Sequence, residues 1–199
     1  MALGEATFTQ RAIRRLAADP ISDAHLKILM DAASKAPNGG NYQPARFLVI
    51  RERGRIEAFG ALYCEAWWAK RRDEGRPWTR REEIPKDSVF RVAALLADEM
   101  CNAPVVVLGF GLYTGSGNSV LPGMQNLMLA ARALGIGSML TTLHPQVMDR
   151  VYGMFGVPAE VEFHGCIPLG YPRGRFGPTS RAPTSETTFF DAWSRSPPW

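Results

Sequence analysis

The stretch Pro104-Val105-Val106-Val107-Leu108-Gly109-Phe110 decides the fold. It is a nearly continuous apolar run, the pattern of an interior strand covered on both faces. Three further strands read outward from it: Arg46-Phe47-Leu48-Val49-Ile50-Arg51, Ile136 to Leu143, and Phe163 to Leu169. Helical spacing fills the gaps. Over 22–36, Leu26, Leu29, Met30 and Ala33 recur on one face behind a Ser22 cap, and Pro37 stops the run. Residues 54–66 read as helix. From Ser88, Val89, Val92, Ala93, Leu96 and Met100 fall on one face. A further helix opens at Ser119 with Leu121, Met124, Met128 and Ala131 inward, and Gly135 suits its C-terminal cap. A short helix follows Pro145 to about Tyr152. The class is α+β: a central sheet with helices on its faces.

The 199 residues are 46% hydrophobic and 21% charged, which argues against intrinsic disorder and for one domain spanning 1–199. No apolar run approaches the ~20 residues of a membrane span. The segment Met1 to Glu5 lacks the flank and apolar stretch of a signal peptide. Cys64, Cys101 and Cys166 form neither a disulfide framework nor a zinc pattern. The expectation is a soluble, cytoplasmic protein.

The net charge of +4 is modest but unevenly placed. Arg11, Arg14 and Arg15 crowd one segment, and Arg173, Arg175 and Arg181 lie in a stretch without acids between Glu162 and Glu186. Two arginine clusters without local acids suggest an anion site assembled from both ends of the chain, the alternative being solvated surface charge. Nucleic acid is not the expected partner, because no helix-turn-helix or aromatic-interleaved basic pattern is present. His144 reads as a loop or cap residue, His25 as an exposed helical residue, His164 as satisfied within a strand and Cys166 as core. No Ser/His/Asp set stands out, and no metal site.

Three local features combine with these clusters. In Thr9-Gln10-Arg11-Ala12-Ile13-Arg14-Arg15-Leu16, paired guanidiniums suit bidentate phosphate binding. In Ala36-Pro37-Asn38-Gly39-Gly40-Asn41-Tyr42-Gln43-Pro44, glycines let backbone approach a flat ring, while Asn41 and Gln43 offer donors and acceptors. Leu134-Gly135-Ile136-Gly137 leads a helix stop into a strand. With Gln125 to Gly137, Gly170-Tyr171-Pro172 and Arg181-Ala182-Pro183, the order and spacing resemble the nitroreductase family of flavin-dependent oxidoreductases along almost the whole chain.

The resemblance implies a central mixed β-sheet flanked by helices and an FMN at the interface of a homodimer. Carried over by position, Arg11, Arg14 and Arg181 would hold the phosphate beside Ala12. Asn38 falls where a flavin-contacting Ser is usual, Gly40 and Asn41 would lie beside the ring held mainly by the other subunit, and Thr141, Thr142 and Leu143 would line the isoalloxazine. Gln10 and Ala12 stand where the family usually has Arg and Ser, which removes one cation and one hydroxyl; Arg173 or Arg175 could compensate. The implied activity is ping-pong transfer of electrons from NAD(P)H to a nitroaromatic, quinone or similar small-molecule acceptor, with no catalytic side chain, since the flavin N5 carries the hydride. Alternatives are a specialised flavin dehydrogenase, dehalogenase or flavin-cleaving enzyme, and a non-catalytic flavin sensor or store.

Two segments complete the expectation. Residues 67–87 read either as an excursion or lid, with Trp67, Trp68, Trp78 and the preceding Tyr63 as candidates to cover the flavin face, or as an ordinary surface helix hairpin with buried tryptophans. From Gly170 to 199, Pro and Gly are dense, yet Phe189, Phe190, Trp193 and Trp199 are present. Such a tail needs a surface to pack on, and an arm lying on the dimer partner would supply it.

Overall fold

A computed structural model describes residues 1–199. The helices are α1 (Leu3–Thr9), α2 (Asp23–Ser34), α3 (Arg53–Asp73), α4 (Val89–Glu99), α5 (Gly117–Ala133), α6 (Met148–Phe155) and α7 (Thr184–Thr187). The strands are β1 (Ala45–Ile50), β2 (Val105–Gly111), β3 (Gly137–Ser138) and β4 (Glu162–Gly170). They form one sheet in the order β1-β2-β4-β3, with every strand pair antiparallel. The expected mixed character reduces to one parallel bridge, Ala12 to Ser138.

The central strand β2 is buried along its whole length. Its side chains alternate between two cores, as the period of two requires. Val106, Leu108 and Phe110 pack with Phe59, Met100 and Cys166 under α3 and α4. Val105 and Val107 pack with Leu29, Met124, Leu127 and Ile167 under α2 and α5. Two layers of helix thus enclose the sheet.

Local signals hold where they are strong. Ser22 accepts from the His25 N–H at 3.2 Å and caps α2. Ser88 accepts from the Phe90 N–H and caps α4. At the end of α5, the Gly135 N–H reaches the Arg132 carbonyl and the Ile136 N–H reaches the Ala131 carbonyl, closing a Schellman motif. Gly135 sits at φ +76°, the left-handed conformation this closure needs. Gly60 serves close approach instead: a Cβ there would stand 2.6 Å from the Cys101 backbone, so glycine lets α3 press on the turn 100–102.

Other expectations change. Helix α3 runs on to Asp73, so Trp67 and Trp68 belong to its last turns and the excursion begins only at Glu74. The strand expected over Ile136 to Leu143 forms a ladder only at Gly137–Ser138, then resumes where Thr141 and Cys166 exchange two backbone bonds of 3.0 and 2.8 Å. In that register Met139 faces Pro168, which has no N–H to give, and the ladder breaks there. Helix α4 is rotated from its expected face: Ala94, Leu96 and Ala97 are buried, whereas Val89 and Val92 are exposed. His25 is half-buried, with its Nδ1 enclosed and unpartnered, rather than exposed. No helix is long and apolar enough to cross a membrane.

Candidate functional site

The two ends of the chain meet. Leu16 pairs with Pro172, the Arg173 N–H donates to the Arg15 carbonyl at 3.0 Å, and the Thr179 N–H donates to the Phe8 carbonyl at 3.0 Å. The segment before Leu16 therefore runs antiparallel to the segment after Pro172. On its other side the Ile13 N–H donates to Ser138 at 3.1 Å, which ties the same segment to β3. Between them opens a cleft of about 270 Å³, lined by Arg11, Ala12, Arg14, Arg15, Arg173 and Arg175, with Val92 and Leu95 of α4 as an apolar wall.

No carboxylate lines this cleft. The nearest ion pair is Arg173 to Glu99, at 3.9 Å. Arg14 is half-buried, and its Nε is enclosed with no hydrogen-bond partner. A buried guanidinium N–H without an acceptor is costly unless a ligand supplies one. An oxyanion with several acceptor oxygens fits this donor set, and phosphate matches the guanidinium fork. Gln10 does not compensate: its amide turns inward to the Met128 sulfur at 3.7 Å. Arg181 lies outside the cleft walls and donates to its own neighbour, the Ser180 carbonyl.

Thr141 stands beyond Ser138 on the same path. Its hydroxyl is 2.9 Å from the Tyr63 hydroxyl. Tyr63 is only 2% exposed, and burial pushes its phenol well above the ordinary value, with Arg14 and Arg71 opposing. Tyr63 is therefore a core residue that fixes Thr141, not a lid residue; its place on the inward face of α3 decides this. Thr142 is exposed and Leu143 half-buried, both continuing this edge.

The Asn38 loop lies elsewhere. Asn38 Oδ1 accepts from the Gln43 N–H at 2.8 Å, and Arg46 donates to the Gln43 carbonyl at 2.9 Å. Gly40, Asn41 and Gln43 all have positive φ, of 55°, 55° and 49°. This tight, pinned loop borders a separate cleft of about 220 Å³ that includes Asn38, Phe47 and Ser119 and shares no residue with the arginine cleft. One chain thus brings together Arg11, Ala12 and Arg14, ties them to the strand edge that leads to Thr141, and lines a different cleft with the Asn38 loop.

The excursion is held by stacked cations. Arg71, 7% exposed, lies 5.0 Å from the Trp67 ring centre and 4.9 Å from that of Phe90. Arg76 lies over Phe90 and Trp78 at 5.1 and 5.5 Å. Each such contact contributes about 0.5–2 kcal/mol, more where water is excluded. Trp67 and Trp68 meet edge to face at 4.6 Å. Arg71 was not legible as a site residue; only its spacing of four from Trp67 hinted at it. Ser138, Val92 and Leu95 likewise carried no local signal.

The remaining polar groups are structural. His144 caps the turn after it through Nδ1 and meets Asp73 through Nε2 at 2.8 Å. Glu162 and Ser116 both approach the same nitrogen of His164, at 3.4 Å, so no acid–His–Ser relay forms. No three metal-ligating side chains cluster.

Comparison with known proteins gives a consistent result. The model of the nitroreductase family matches residues 9–171. An NADH dehydrogenase of Thermus thermophilus is 29% identical over 199 aligned positions, covering 89% of this chain and 90% of its own. A 5,6-dimethylbenzimidazole synthase of Rhodospirillum rubrum is 28% identical over 175, covering 82% and 79%. The crystal structure of a nitroreductase with bound FMN from Bacteroides fragilis superposes with a TM-score of 0.68 at 18% identity, covering 96% of this chain and 100% of that one. At that identity the likeness is one of fold.

Proposed function

The chain belongs to the nitroreductase family, and on that premise we propose that it is an FMN-dependent oxidoreductase moving electrons from NAD(P)H to a small-molecule acceptor such as a nitroaromatic or quinone. The observation that carries the reading is the acid-free arginine cleft with its enclosed, unpartnered Arg14 Nε. Arg11 and Arg14, joined by Arg181 from the tail, bind the phosphate. Ala12 closes the cleft through its bridge to Ser138. Thr141, held by Tyr63, and then Thr142 and Leu143 flank the ring. FMN, when bound, supplies the hydride acceptor and donor. Donor and acceptor use one open face in turn, which implies ping-pong kinetics.

The ring-side loop of Asn38, Gly40 and Asn41 serves the site of a partner copy. Its separation from the arginine cleft supports a homodimer with composite sites. The outer edge of β1 is unpaired, and a groove runs along Leu48 to Glu52 with Arg55 and Phe155. A partner's tail adding a strand there would cover both edge and groove. Three free cysteines accord with a reducing, cytoplasmic compartment.

The purified protein is expected to be yellow, and heat should release FMN rather than FAD. NAD(P)H should bleach it, and an acceptor should restore the colour. A colourless protein that takes up no FMN at micromolar concentration would overturn the reading, and bound FMN that NAD(P)H does not bleach would favour a sensor or store. The Rhodospirillum relative favours a second reading, a specialised flavin chemistry in the same fold; an acceptor screen separates the two. The segment 74–88 would then set acceptor choice. Trp78→Ala should shift relative kcat/KM among acceptors severalfold while FMN content stays intact. An unchanged acceptor profile would make Trp78 structural.

A further inference from the structure

The arginine cleft holds more cation than one flavin phosphate uses. Arg11 and Arg14 answer to that phosphate, which leaves Arg15, Arg173 and Arg175. Arg15 and Arg175 have no carboxylate partner, and Arg173 meets only Glu99, at the long distance of 3.9 Å. None of these three guanidiniums makes a hydrogen bond within the chain, although their backbones are pinned, as by the Arg173 N–H on the Arg15 carbonyl.

Position separates Arg15 and Arg173 from the flavin end, whereas Arg175 falls opposite Ile13, midway along the run. In the antiparallel run Arg11 lies beside Gly177, with its Nη1 3.5 Å from where a Cβ would sit, whereas Arg15 lies opposite Arg173. Four residues of extended chain span roughly 13 Å, enough for two phosphates. Val92 adds a 56%-exposed apolar surface on the same cleft, with Leu95 beside it. An apolar wall and free guanidinium planes together suit a purine bearing a phosphate.

We infer that Arg15 and Arg173 form a second phosphate subsite, which takes the 2′-phosphate of the adenosine end of NADPH against Val92 and Leu95. The inference rests on the FMN reading above and names its electron donor. A terminal phosphate monoester carries about −1.5 to −2 charge and three acceptor oxygens, which free guanidiniums at this end can meet. NADH lacks that group, so the subsite selects NADPH.

The test uses the full-length, FMN-loaded protein with 2′,5′-ADP and 5′-AMP as probes, followed by calorimetry. The parent should bind 2′,5′-ADP more tightly than 5′-AMP, and NADPH should exceed NADH in kcat/KM. Arg15→Ala, and Arg15→Ala with Arg173→Ala, should weaken 2′,5′-ADP by about tenfold or more, the effect of losing a charge-assisted hydrogen bond. FMN affinity should stay unchanged, and the NADPH preference should fall. Equal binding of the two probes by the parent would overturn the inference. So would variants that lose FMN but keep 2′,5′-ADP, because the arginines would then serve the flavin phosphate. Failure of the FMN reading appears separately, as Arg11→Ala and Arg14→Ala variants that retain FMN at the parent's affinity.

Discussion

Arg14→Ala should lower FMN affinity roughly ten- to a hundredfold, the range of a hydrogen bond to a charged group at about 1.5–3 kcal/mol. Arg14 is the arginine of the cleft whose Nε is enclosed without a partner. Removing it deletes a donor that no protein acceptor uses, so the apo fold should keep its stability. Fluorescence titration of FMN into apoprotein measures the affinity, and a thermal melt of the apoprotein measures stability. Arg181 lies outside the cleft, so Arg181→Ala should weaken FMN by a similar factor only if, as proposed, the tail carries Arg181 to the phosphate. If Arg14→Ala binds FMN as the parent does, the phosphate is held elsewhere. If Arg181→Ala is silent, the tail does not reach the phosphate.

Deleting residues from Thr187 onward should weaken the proposed dimer and the retention of FMN together. The removed segment carries Phe189, Phe190, Trp193 and Trp199. They meet in pairs, Phe189 tilted against Trp193 at 4.6 Å and Phe190 edge to face with Trp199 at 4.9 Å. Within one chain Trp193 remains 85% exposed and Trp199 66%. Moving each large apolar side chain from water onto a partner contributes about 1.5–3 kcal/mol. The proposed dimer would have two such arms, so their burial would supply a large share of the association energy, and exchange of identical segments is a low-cost route to a symmetric pair. The truncation spares Arg181, so lost flavin would report arm docking rather than a missing cation. Sedimentation and the ratio of flavin to protein absorbance measure both effects. A truncated protein that stays dimeric and fully loaded would refute the arm, as would a full-length monomer with FMN bound.

Interactions that close within a few residues were legible in the sequence. Ser22 and Ser88 cap the helices they precede, Gly135 turns α5 toward β3, and the apolar run after Pro104 is the central strand. Motif order carried the family along nearly the whole chain, and the two arginine clusters pointed to one another as the sides of a single cleft. What the clusters could not disclose was their geometry. Arg15 meets Arg173 only because an antiparallel run joins residues more than 150 apart in sequence, and no local propensity encodes such a pairing. The same cause lies behind each correction. Pro168 interrupts β3 from a different strand, and Tyr63 lost its lid role because α3 turns it inward to Thr141. Helix α3 continues through Asp73, with Arg71 near its end stacked between Trp67 and the distant Phe90. Helix α4 is apolar around much of its circumference, so its pattern left the buried face open and packing chose Ala94 and Ala97 over Val89 and Val92. Hydrogen bonds and spacings local to the chain selected the elements and the family; contacts between distant segments decided which side chains share a cleft.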